Sequence, residues 1–363
     1  MSINEIIMYI IAFFMVLGAI DKCLGNKFGL GEQFEEGIMA MGSLALSMVG
    51  IITLAPVLAN LLKPVVVPLY TALGADPAMF ATTLLANDMG GFPLAVQLAQ
   101  DPQAGLFAGA ILGAMMGPTI VFTIPVALGI IEKEDQRYLA TGVLSGLITI
   151  PIGCFVGGLV AGFPVIMILK NLVPILLVAV LIMIGLWLKP DAMIKGFTIF
   201  GKFVVIVAIF GLVLGALQLL IGVTVIEGIT PVTEGIEVVG GIALTLAGAF
   251  CLVFVITKLF NKPLMKLGEL LGMNDVAAAG MVATLANSIP MFQMMKDMDP
   301  RGKVINVAFA VSAAFVLGDH LGFTAGVAKE MIFPMIVGKL VGGVTAVLVA
   351  MFMTNRMVKK EAK

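Results

Sequence analysis

Two runs of this chain, 105–131 and 138–161, contain no charged residue. Each exceeds the roughly 20 residues that a helix needs to cross the hydrocarbon core of a bilayer. Only 12% of all residues are charged and mean hydropathy is +1.14, whereas soluble domains carry about 25% charge. Spanning helices use up nearly the whole chain, which leaves no soluble catalytic domain and disfavours an enzyme. The net charge of -1 excludes a basic nucleic-acid binder. Cys23, Cys154 and Cys251 are scattered and odd in number, and His320 is the single histidine. Neither a disulfide framework nor a metal site is expected from such spacing, and no cofactor is implied. The N-terminus lacks the basic region and cleavage site of a signal peptide, so 3–20 reads as a retained first span.

An internal repeat comes next in informative value. Glu36-Gly37-Ile38 through Gly50 aligns without a gap to Glu234-Gly235-Ile236 through Gly248, with seven identities in fifteen positions. Upstream, 16–20 (VLGAI) matches 213–217 (VLGAL); downstream, Leu85-Ala86-Asn87 matches Leu285-Ala286-Asn287, and 117–123 (GPTIVFT) matches 318–324 (GDHLGFT). Offsets of 197, 198, 200 and 201 keep the order.

The expected organisation is an all-α polytopic membrane protein with an inverted structural repeat. It has about nine transmembrane helices plus two broken, re-entrant hairpins. The first repeat covers 1–165 with its hairpin at 64–102. A linker transmembrane helix covers 166–195, the second repeat 196–355 with its hairpin at 261–299, and a cytoplasmic basic tail 356–363. Positive charge sets the orientation. If each hairpin enters and leaves on one side, 17 of the 21 Lys and Arg fall in the cytoplasm, leaving Lys63, Lys170, Lys329 and Lys339 outside. Crossing hairpins would split the same residues ten inside and eleven outside. The expectation is therefore an N-terminus outside and a C-terminus inside, in the cytoplasmic (inner) membrane. Inverted repeats with broken helices are the common build of secondary transporters, whose sites lie near the midplane.

The first break reads Asn87-Asp88-Met89-Gly90-Gly91-Phe92-Pro93 and the second Asn287-Ser288-Ile289-Pro290. Unwound backbone at membrane depth is tolerated only where protein or a water-filled cavity satisfies it. Both repeats place Asn at the break, which favours solute binding over a packing kink. Gly105, Gly109, Gly113 and Gly117 recur at every fourth residue, a close-packing face. Asp88 and the Asp319-His320 pair are the ionisable residues deep in apolar sequence. A carboxylate at the membrane centre costs at least about 2.5 kcal/mol and marks a functional site by default, with a structural ion pair or cap as the competing reading. Asp88 has Ser288 as its repeat mate, and Asp319-His320 replaces Pro118-Thr119. Lys339 interrupts its span near the outer end, where it reads as a snorkelling lysine.

In these stretches, LANDMGGFPLA at 85–95, LANSIP at 285–290 and GDHLGFTAG at 318–326, the chain resembles the EutH family of bacterial ethanolamine-utilisation operons. The resemblance runs over the whole length and implies ethanolamine uptake across the cytoplasmic membrane for catabolism. Ethanolamine is a primary amine and, like lysine, cationic near neutral pH. A cavity for it needs a carboxylate (Asp88 or Asp319), an aromatic face (Phe92, Phe122 or Phe323), and a polar partner for the hydroxyl (Asn87, Asn287 or Ser288). Asp319 and His320 together would make a proton relay if uptake is proton-coupled. The expected partners are ethanolamine and the lipid bilayer, with a homo-oligomer allowed. The alternatives are a carrier for another small metabolite, such as an amino acid or nucleoside, and an intramembrane aspartyl protease.

Overall fold

A computed structural model describes residues 2–361, which are helical with no strand. In order they form α1 Ile3–Cys23, α2 Leu30–Ala72, α3 Ala78–Leu84, α4 Gly91–Leu98, α5 Pro102–Ile130 and α6 Lys133–Val160. Then come α7 Val165–Leu188, α8 Pro190–Ile221, α9 Val232–Leu270, α10 Asp275–Ala286 and α11 Ser288–Met294. The last are α12 Pro300–Ala313, α13 Asp319–Val327 and α14 Ile332–Glu361. Among the described residues, eight helices are long and apolar enough to cross a membrane. The chain is thus a multi-pass membrane protein. Of the basic tail at 356–363, the last two residues and all the side chains lie outside the described part.

The spans differ in what covers them. In the most apolar stretch of α5, 78% of residues are buried by protein, against 11% in α1. The glycine-rich helix is therefore the inner one, and α1, α7 and α8 turn residues such as Phe13, Leu181 and Ile206 outward, where lipid would cover them. The glycine stripe of α5 explains its position. Gly105 abuts Ala99, Gly109 abuts Phe92, Gly113 abuts Thr82 and Asn87, and Gly117 abuts Leu85 and Ala86. All four pack on the segment 78–99, so α5 cradles the first hairpin.

Each hairpin is clasped at its base. Asp76 accepts hydrogen bonds from the backbone N–H groups of Ala78, Gln100 and Asp101, joining entry to exit. In the second, the Asn274 N–H donates to Asp299 and its side chain to the Asp297 carbonyl. Entry and exit of each hairpin thus lie side by side. Asp101 and Asp299 then cap the helices that follow, each ahead of a proline at the first helical position, where its missing N–H costs nothing.

Two expected boundaries move. The hairpins were expected to open at 64 and 261, but α2 runs on through Pro56, Pro64 and Pro68 to Ala72, and α9 runs through Pro263 to Leu270. A π-helical turn at Ala45–Val49 sits upstream of the first of these prolines. Local adjustments and neighbouring helices re-satisfy the backbone groups that proline frees. At 43 residues α2 is about 65 Å long, twice the hydrocarbon thickness, so it tilts or projects from the bilayer.

The chain after the second hairpin does not form one continuous helix. It breaks at 314–318 into α12 and α13. There the Phe315 N–H donates to the Thr284 carbonyl (3.1 Å) and the Leu317 N–H to the Leu285 carbonyl (2.9 Å). The last turn of α10 supplies the partners that the helix gives up. The corresponding part of α5 stays wound but changes pitch, through π-helical turns at Phe107–Ile111 and Thr119–Thr123 around a 3-10 turn at Leu112–Ala114.

Candidate functional site

Four irregular stretches meet inside the bundle: the turns after α3 and α10, the pitch change in α5, and the break before α13. A β-carbon at Gly117 would fall on the carbonyl of Leu85, and one at Gly318 on the carbonyl of Ala286. Each hairpin tip therefore rests directly on the backbone of the broken or rewound helix that follows it. Gly90 ends the first tip in the left-handed region (φ 87°), and a β-carbon there would overlap Ile51. Only glycine fits both demands.

The first tip, the α5 segment and the start of α13 enclose a small cavity of about 40 Å³, room for about three waters. Its lining is Ala86, Asp88, Met89, Pro118, Phe122, Phe315, Asp319 and His320. Of the residues expected at the site, it gathers Asp88, Phe122, Asp319 and His320 around one space. Asp319 and His320 are the first two residues of α13, where the unpaired N–H groups of a helix start favour a negative charge. Phe122 stacks edge-on against Phe315 at 5.4 Å, and Phe315 lies 5.3 Å from the His320 ring. Phe315 has φ 63°, which costs a non-glycine residue about 1–2 kcal/mol. Its two ring contacts and its hydrogen bond to Thr284 hold it there.

The other expected residues do not line the cavity. Phe92 and Phe323 meet each other edge-on at 5.6 Å and join the first hairpin to α13. The Asn87 side-chain oxygen accepts from the Asp88 N–H at 2.9 Å, which shapes the turn, and its amide nitrogen is buried without a hydrogen-bond partner. Asn287 caps α11 by accepting from the Ile289 N–H at 2.9 Å. Ser288 is buried with an unpartnered hydroxyl. Buried polar atoms without partners are uncommon and point to unplaced water or ligand.

Sequence reasoning misread Lys339 and missed Phe315. Lys339 does not snorkel: it is only 1% exposed. Its ammonium donates to the carbonyl of Ala114, at the pitch change of α5, and lies 2.9 Å from Nδ1 of His320. Asp88, Asp319 and His320 line the same cavity, and Lys339 stands behind it against His320. Only the rarity of lysine inside a span could have flagged Lys339. Phe315 carried no signal at all, being one apolar residue among many.

Two carboxylates, an imidazole and two aromatic rings surround one small space, and groups of these kinds attract cations. The family model for "Ethanolamine utilisation protein, EutH" covers residues 3–353. The chain belongs to the EutH family. It is 81% identical to the probable ethanolamine permease EutH of Listeria monocytogenes, over 99% of this chain and 96% of that protein. It is 55% identical to the probable ethanolamine permease EutH of Salmonella typhimurium, over 100% of this chain and 99% of that protein. The uncharacterized protein YxeR of Bacillus subtilis is 56% identical over 100% of this chain and 98% of its own length. No solved structure matches the chain. The matched residues run from α1 into α14.

Proposed function

We propose that this chain is an ethanolamine permease of the cytoplasmic membrane and that the Asp88–Asp319 cavity holds the substrate. The observation that carries the reading is the convergence of two membrane-embedded carboxylates and two rings on a space fit for a small amine. The names of its EutH relatives support the substrate. Either acid serves as counter-ion to the ammonium, and Phe122 and Phe315 offer faces to the same charge. His320, between Asp319 and Lys339, is the group through which a proton would pass if uptake is coupled. The reading is of a carrier rather than an enzyme. A cavity with room for about three waters suits a small solute and not the extended peptide that a protease would need.

The two halves make an inverted pair in this reading, N-terminus outside and C-terminus inside. The clasped hairpin bases and the matched Gly117 and Gly318 contacts support it. Counterflow of labelled ethanolamine in proteoliposomes tests the function. Exchange above empty vesicles is expected, and its absence in correctly inserted protein would defeat the proposal. The orientation has a built-in probe, because Cys23 is exposed while Cys154 and Cys251 are buried. An impermeant maleimide should label the wild type only from the cytoplasmic side, and a Cys23→Ser/Glu227→Cys variant only from outside.

A further inference from the structure

We propose that Lys339 sets the charge of the site so that it admits one monocation and rejects a dication, making it a specificity-determining residue behind the cavity. The inference rests on the permease reading above. Lys339 is buried in α14 and does not line the cavity, but contacts it through His320. Its ammonium can donate to Ala114 and to Nδ1 of His320, which leaves a third proton unmatched beside a cavity that holds two carboxylates. The cavity itself holds Asp88 and Asp319 and no basic side chain except the histidine. Glu36, which Asp319 also feels, is exposed and outside this lining.

The charge balance follows. With both acids ionised, Lys339 offsets one of them, and a net negative charge of one remains. An entering ethanolamine ammonium brings the buried group to zero, the cheapest state in a low-dielectric interior. A second positive charge in the same space would be uncompensated. At an effective dielectric of about 20 and a separation of about 6 Å, one such charge disfavours occupancy by about a hundredfold. Without Lys339 the group would carry two negative charges, which suit a dication or a monocation plus a proton.

1,3-Diaminopropane is the discriminating probe, since its amines are far enough apart to stay doubly protonated near neutral pH, and 3-amino-1-propanol differs from it only in a hydroxyl for the second amine. The measurement is competition by each compound against labelled ethanolamine counterflow in proteoliposomes. It is run at about pH 7.5 to keep the buried acids ionised while both amines of the diamine stay protonated. Wild type is expected to prefer the amino alcohol to the diamine by about tenfold or more. Lys339→Met should shift that preference toward the diamine by at least about tenfold, and Asp88→Asn/Lys339→Met should bring it back. If Lys339→Met alone does not assemble, rescue of assembly by the added Asp88→Asn supports the pairing, and no rescue overturns it. An assembled Lys339→Met protein with the wild-type preference also overturns it while leaving the permease reading intact. A wild type that does not exchange ethanolamine would instead defeat that reading.

Discussion

The two hairpin tips are built alike and equipped differently. Each follows a short helix, turns at an asparagine, and presses on a glycine of the next helix, Gly117 for the first and Gly318 for the second. Yet the first tip carries Asp88 into the cavity, whereas its mate Ser288 is buried away from it. The helices they rest on diverge in the opposite sense. In α5 the chain keeps winding past Pro118, while its counterpart opens fully and restarts at Asp319 and His320. The shared backbone makes the space, and the unshared side chains give it charge. A site for an asymmetric solute, ammonium at one end and hydroxyl at the other, gains from such a division.

The largest effect expected from this contrast separates the two tips. Asp88→Asn should raise the ethanolamine concentration for half-maximal uptake by about thirtyfold or more, since removing one partner of a buried charge pair costs about 2–5 kcal/mol. Ser288→Ala should change it by less than about twofold. Equal effects at both positions would erase the asymmetry. Measured uptake at matched protein levels decides.

A second test attacks what the tips share. Gly117→Ala and Gly318→Ala each place a methyl on a backbone carbonyl that cannot swing aside. Both should lose about 1–3 kcal/mol of stability, as overpacked cores do. The readout is a lower apparent melting temperature in detergent. Gly129→Ala and Gly240→Ala meet nothing nearby and should leave the melting temperature unchanged.

The smallest effect concerns the side chain that only the second unit has. If His320 passes a proton, protein-dependent uptake should vary between about pH 5 and 8. His320→Gln should flatten that profile while changing the rate at its optimum only a few-fold. Because the neutral amine crosses lipid unaided, empty vesicles are subtracted at each pH. An unaltered profile would leave His320 as a spacer that holds Lys339.

The sequence by itself determined the solvent, the helical class and the points where the chain must turn. Long uncharged runs admit few other structures in lipid, and Asn with Gly or Pro announces a turn locally. It also exposed Asp88, Asp319 and His320, because ionisable groups in apolar sequence are conspicuous whatever they touch. What it did not contain was the break at 314–318. Ala314-Phe315-Val316-Leu317 has no breaker before Gly318, and the opened backbone is held by the carbonyls of Thr284 and Leu285, some thirty residues earlier. Nor did it contain the burial of Lys339, since a lysine near the end of a span has the same local sequence whether it reaches water or a carbonyl of α5. Both outcomes depend on which surface lies opposite, and only the packed bundle of helices decides that.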